Sequence, residues 1–181
     1  EKKFGVFKDD IDAFREIYAR LGVPPKDESL SSFPRHPLAF LTEAADDICY
    51  AVVDLEDAYH LGIIDFTDVR SLLAPIAEKD PDFDDDPSYD NELRLARYRS
   101  AAISSLVDQV IRVFTENIGE IESFRYETPL IEGISDREAY AAIKSFSSEY
   151  VYTAFKVMEI ESAGFKAISG LLDIFVPAVI S

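Results

Sequence analysis

Glu43, Asp46, Tyr50, Asp54 and Asp57 recur at steps of three and four, a spacing that stacks side chains along one face of a helix. A line of carboxylates on a helix is most often a solvated surface. Two features set this one apart. No Lys or Arg stands four residues after any of its acids, so nothing along the stripe offsets their mutual repulsion. An aromatic ring, Tyr50, sits in its middle, where a solvated face more often carries Lys or Gln. Carboxylates in this state take a cation or a donor from elsewhere: a metal, an arginine or a hydroxyl-bearing substrate.

The element that must position them is a long helix over 37–61, PLAFLTEAADDICYAVVDLEDAYHL. Pro37 suits a first helical turn, where its missing N–H costs nothing, and Gly62 suits a left-handed C-cap. Leu41, Ile48, Val52, Leu55 and Tyr59 form an apolar face nearly opposite the acidic stripe. Ala44, Ala51 and Ala58 leave a smooth flank against which another helix can come close.

The stretch RHPLAFLTEAADDICYAVVDLEDAYHLGII resembles the third metal-ligand helix of the bacterial deoxynucleoside triphosphate triphosphohydrolases, the dGTPase branch of the HD-domain phosphohydrolases; the EAADDICY and DLED blocks carry the resemblance. It implies an all-α, HD-domain-like fold. It also implies roles: Asp46 as a ligand of a divalent metal, Mg or Mn, completing a His, His-Asp, Asp set; Tyr50 packing on the deoxyribose; Asp54 binding the sugar 3′-hydroxyl. All three lie on the stripe already traced. The implied reaction is hydrolysis of a dNTP, dGTP among them, to deoxynucleoside and triphosphate. The resemblance further implies a homo-oligomer and admits a nucleotide or single-stranded DNA effector.

With 181 residues the chain suits one domain and can bury roughly 70% of its unfolded surface. Its 13 Phe and 9 Tyr supply core material. The apolar runs read as too short or too charged to span a membrane, no signal peptide is read, and no membrane partner is expected. The single cysteine, Cys49, excludes an internal disulfide, fits a cytoplasmic location and reads as a small core residue. The balance of 35 Asp plus Glu against 18 Lys plus Arg, a formal charge of −17, disfavours a phosphate-rich ligand on this chain alone. With no initiator Met, the chain reads as the C-terminal portion of a longer hydrolase whose remainder carries the phosphate-facing surface. As a fragment it is expected to be inactive.

Other elements follow from local signals. EKKFGVF reads as an extended entry and resembles a KFGFF segment of the same family. Asp9 or Asp10 should cap a helix over 10–21 with Ile11, Phe14, Ile17 and Leu21 on one face and Gly22 at its end. GVPPKDESLSSFPRH connects it to Pro37. A helix over 67–78 should be capped by Thr67, with Pro75 bending or ending it. DPDFDDDPSYDN resembles a calcium loop only superficially, lacking its Gly and terminal Glu, and reads as a solvated, mobile loop. A helix over 91–118 should bury Leu95, Ala102, Leu106, Val110, Val113 and Phe114 and end at Gly119. Its Arg94, Arg97 and Arg99, with Arg112, read mainly as partners in ion pairs; by the resemblance RYRSAAISSLV borders the nucleotide, with Tyr98 or Arg99 facing base or phosphates. A capping box at Ser135 and Glu138 should start a helix over 136–147. The FKVMEIESAGFKAISGLLDIF block resembles the family's C-terminal block and reads as extended, or as the end of a helix, over VMEIE, then as a final helix over 163–176.

Neither histidine, His36 nor His60, belongs to a His-Asp pair, and both read as structural. No phosphate-binding GxxxxGK[ST] loop, GxSxG elbow or CxxC pair is present, so no catalytic residue is assigned here. A second reading, of a different class, is a non-catalytic acidic helical module whose stripe docks Lys or Arg of a basic partner protein.

Overall fold

A computed structural model describes residues 6–26 and 32–180, and the described residues form helices and loops with no strand. The all-α expectation holds. The helices are α1 (Ile11–Arg20), α2 (Pro37–His60), α3 (Phe66–Ala77), α4 (Asn91–Glu116), α5 (Ile118–Glu122), α6 (Arg137–Phe146) and α7 (Phe155–Ile180). They fall into two compact units: Glu1–Ala45 with Val110–Ile134, and Asp46–Gln109 with Ser135–Ser181. Most of the EKKFGVF entry, and residues 27–31 of the connection before Pro37, lie outside the described residues.

In the first unit, α1 is preceded by a 3-10 turn over Lys8–Asp10, and no side-chain hydrogen bond from Asp10 caps it. That face is not buried along its length: Ile17 and Leu21 are more than half exposed, while Ile11 and Phe14 are half-buried. Tyr18 and Phe33 take over, each ring lying against Phe14 at centroid distances of 4.3 and 5.6 Å. Aromatic rings offer more surface per residue than the aliphatic stripe, so α1 turns towards them. Gly22, at φ +70°, ends the helix, with the Gly22 and Val23 N–H groups donating back to Ala19 and Tyr18. This pattern satisfies otherwise orphaned carbonyls and buries Val23.

The part of α2 within the second unit is anchored by Ile48, Val52 and Leu55, all at most 2% exposed, and by Ala51 and Ala58. Leu41 and Tyr59, at the ends of the expected apolar stripe, are only half-buried. Gly62 at φ +65° closes α2 as expected, its N–H donating to Tyr59 and that of Ile63 to Ala58.

Thr67 is not the cap of α3. Asp65 is: its carboxylate accepts from the Thr67 and Asp68 N–H groups at 2.7 and 3.0 Å, and Asp68 returns an acceptor to the Asp65 N–H. A charged acceptor at the positive helix end outcompetes a hydroxyl two residues later. The helix continues through Pro75, because Ile76 and Ala77 beyond it are fully buried and offset the lost backbone bond.

The acidic loop before α4 is pinned rather than mobile. Asp85 accepts from Arg94 at 2.6 and 3.0 Å and from the buried Tyr98 hydroxyl at 2.7 Å, Phe83 packs on the Tyr98 ring, and Asp90 caps the Leu93 N–H at 2.8 Å. Arg94 beside it holds the Asp85 carboxyl down at about 2. The reading of the arginines as ion-pair partners stands for three of them: Arg94 with Asp85, Arg97 with Asp84 and Arg99 with Glu56.

In α4, Leu95, Ala102, Leu106, Val110 and Val113 are buried and Phe114 half-buried. The helix ends at Glu116, and Gly119 sits inside α5 instead of closing α4. No capping box starts α6, since the Ser135 hydroxyl donates to Gln109 Oε1 at 2.8 Å. Gln109 also takes the Asp136 N–H and donates to the buried Asp136 carboxylate, which Lys79 neutralises. A buried amide offering both a donor and an acceptor captures the groups the cap would have used.

The VMEIE stretch is neither extended nor the end of a helix: it lies near the start of α7, which begins at Phe155 and runs 26 residues without a break before 163. Lys, Met and Glu are strong helix formers, and the Val157 and Met158 N–H groups already close on the Ala154 carbonyl. None of α7 is buried. By length and composition it is long and apolar enough to cross a membrane, against the expectation that no run would be.

Candidate functional site

Four of the five stripe residues line one open hollow. Asp46, Cys49, Tyr50, Val53, Asp54 and Asp57 line a hollow of about 280 Å³ along the second-unit part of α2. Their spacing alternates steps of three and one, which is one face of a helix seen from a ligand's position. All three predicted site residues belong to it. The volume falls just below the ~300–1,000 Å³ typical of small-molecule pockets.

Tyr50 lies 61% exposed, its ring free to pack on a ligand. The Asp46 carboxylate is exposed, with no side-chain hydrogen bond or ion pair among the described residues. Asp54 is half-buried and engaged: the Tyr152 hydroxyl donates to its Oδ2 at 2.6 Å. Burial first, and then this bond, push the Tyr152 phenol up to about 12, so it is a protonated donor at neutral pH. Cys49 is exposed on the rim of the hollow and not a core residue as expected, because the lining face, rather than the apolar one, includes position 49.

Glu43, the first acid of the stripe, lies in the other unit and is not in the lining. Arg35 donates to it at 2.9 Å with its guanidinium against the Phe40 ring. Tyr98 is 1% exposed and bonded to Asp85, so it does not face a ligand, and Arg99 is held by both oxygens of Glu56 at 2.5 and 2.7 Å. His36 accepts the Leu38 N–H and His60 meets Glu92. Tyr152 went unread in the sequence, since nothing at a distance of 98 residues marks it as a partner of Asp54. The Val53 position could have been read from the same three-and-one spacing.

Among the described residues no three His, Cys, Asp or Glu side chains come together as a metal site. Asp46, an open carboxylate at the rim, suits the role of one ligand in a set completed elsewhere, and cannot hold a divalent ion by itself. What the hollow offers on its own is carboxylate acceptors, an exposed aromatic ring and negative charge.

No family model matches the chain. Curated relatives do. It is 31% identical over 99% of its length to a deoxyguanosinetriphosphate triphosphohydrolase-like protein of Synechocystis, and equally to one of Listeria monocytogenes over the same share. Against the deoxyguanosinetriphosphate triphosphohydrolase of Serratia proteamaculans it is 29% identical over 82% of its length. The chain spans only about 40%, 39% and 33% of these relatives' own lengths. This match along nearly every residue, to relatives whose own length it spans only in part, places the chain in the deoxyguanosinetriphosphate triphosphohydrolase-like family.

Proposed function

We propose that the chain is the C-terminal portion of a metal-dependent, HD-domain-type dNTP triphosphohydrolase and supplies its sugar-recognition wall. The observation that carries this reading is the convergence of Asp46, Tyr50 and Asp54 on one hollow of α2. The reaction is dNTP plus water giving deoxynucleoside and triphosphate, with dGTP as a substrate.

Asp54 accepts the sugar 3′-hydroxyl with the carboxylate oxygen that Tyr152 leaves open. The Tyr50 ring lies along the deoxyribose and crowds the position of a ribose 2′-hydroxyl. Asp46 is one ligand of a divalent ion, Mg or Mn, whose remaining ligands come from outside this chain; when bound, that ion supplies positive charge for the α-phosphate. This division of labour also accounts for the charge balance: a triphosphate is repelled by a chain of net charge −17 unless the cation and basic groups are brought by the rest of the enzyme. Family membership supports the hydrolase class, while substrate and metal rest on the geometry and the resemblance.

The docking-module alternative is not favoured. Family membership points to the hydrolase class instead, and of the module's four carboxylates Glu43 is already paired with Arg35.

Asp54→Asn in the full-length protein tests the reading. An amide still meets the 3′-hydroxyl but without charge, and charged hydrogen bonds are worth roughly 1.5–3 kcal/mol. At ~1.4 kcal/mol per decade, kcat/KM for dGTP should fall about ten- to a hundredfold. An unchanged kcat/KM removes Asp54 from the site.

A further inference from the structure

The Tyr152–Asp54 bond joins two distant pieces of the second unit, and the fold fixes it from both sides. Tyr152 follows a π-helical turn over Ser147–Val151, in which the Tyr152 N–H reaches back five residues to the Ser147 carbonyl at 2.9 Å. Such turns are uncommon and cluster at functional sites. This one is locked in place: Ser147 and Val151 are buried, and α6 before it is held by the Tyr140 hydroxyl donating to the Asp47 carbonyl of α2 at 3.0 Å. After the turn, Lys156 at the start of α7 donates to the Leu61 carbonyl at the end of α2. Tyr152 is thus clamped between two attachments to the helix that carries the hollow.

We propose that Tyr152 is a positioning residue for 3′-hydroxyl recognition: by holding Oδ2 of Asp54 it fixes the rotation of the carboxylate and turns the other oxygen toward the hollow. The inference rests on the reading that Asp54 accepts that hydroxyl. A carboxylate free to rotate spends part of its time facing away from a ligand; one tied at a single oxygen by a short, charge-assisted bond does not. Because only a phenol hydroxyl makes this bond, Tyr152→Phe keeps the packing and removes the tether alone.

The test is steady-state kinetics of the full-length enzyme, wild type, Tyr152→Phe and Asp54→Asn, with dGTP and with 2′,3′-dideoxyguanosine triphosphate, which lacks the hydroxyl. In Tyr152→Phe the loss in kcat/KM for dGTP should exceed that for the dideoxy substrate by on the order of tenfold, mainly through KM. Equal losses on the two substrates mean Tyr152 is only structural, and the inference falls while the function stands. If Asp54→Asn leaves the preference for dGTP over the dideoxy substrate intact, the reading of Asp54 fails and takes the inference with it. A readout independent of turnover accompanies this: the phenolate absorbance of Tyr152, isolated as wild type minus Tyr152→Phe, should titrate at lower pH in an Asp54→Asn background. No shift there means that the two side chains are not bonded, which overturns the inference.

Discussion

Replacing Asp85 with Asn should destabilise the protein by about 2–3 kcal/mol, whereas Asp84→Asn, one residue away in the same acidic loop, should cost at most about 0.5 kcal/mol. The difference comes from surroundings, not sequence. The Asp84 carboxylate is 58% exposed and stands 3.4 Å from Arg97, a surface pair. The Asp85 carboxylate is 15% exposed and receives Arg94 twice, Tyr98 once and an Arg70 contact at 3.3 Å. Its fall from 3.8 to about 2, caused chiefly by the Arg94 hydrogen bond, converts at ~1.4 kcal/mol per unit to roughly 2.5 kcal/mol, cut to about 1–2 by solvent contact. Leaving Arg94 and the buried Tyr98 hydroxyl with weaker acceptors adds about 1 kcal/mol. The sign of the pH dependence follows: a carboxyl depressed in the folded state contributes fully above about pH 4, and that contribution is lost as pH falls through about 2. Urea unfolding followed by circular dichroism across this range reads both quantities. The gap between wild type and Asp85→Asn should close as the pH falls from 4 to 2. Equal effects of the two substitutions, or a gap that persists at pH 2, would refute the reasoning.

Two further outcomes follow from α2. Leu55→Ala, at a side chain with 0% exposure, should cost about 2–5 kcal/mol in the same unfolding assay, since the cavity it opens is enclosed. Tyr50→Ala should leave stability within about 0.5 kcal/mol, its ring being 61% exposed, yet reduce the preference for dGTP over GTP roughly tenfold in parallel kcat/KM measurements on the full-length protein.

Much of the helix pattern was legible from periodicity and end signals, because α2 and α4 each bury a stripe that repeats at 3.6 residues and Pro37 and Gly62 do what their backbones dictate. What was not legible depended on partners far along the chain. Ser135 looked like a cap until Gln109, 26 residues upstream, claimed its hydroxyl. The DPDFDDDPSYDN stretch looked solvated because its order comes from Arg94, Tyr98 and Arg70, which composition does not connect to it. In α1 the spacing favoured Ile17 and Leu21, but an aromatic cluster with Phe33 decided the buried face. The start of α7 was hidden by the β-branched Val157 and Ile160 in VMEIE, which favour a strand over a helix, whereas the α7 backbone bonds override that preference.

The candidate site shows the same division. Asp46, Tyr50 and Asp54 share one helix, so their common face could be read from spacing, and all three line the hollow of α2. Tyr152 could not be read at all, because a π-helical turn, with no sequence signature, sets its register. Cys49 was misjudged for a related reason: a small apolar side chain fits a core or a pocket rim equally well, and only its angle on the helix decides.

The most direct measurement is dGTP hydrolysis by the full-length protein carrying Asp46→Asn, with bound divalent metal quantified on the same sample. An amide keeps the size of the side chain and loses the charge that holds a divalent cation, so turnover should fall at least about a hundredfold with weakened metal binding. Near-normal turnover with the metal still bound would contradict the assignment of Asp46, and with it the account of the α2 hollow as the sugar and metal wall of a dNTP triphosphohydrolase.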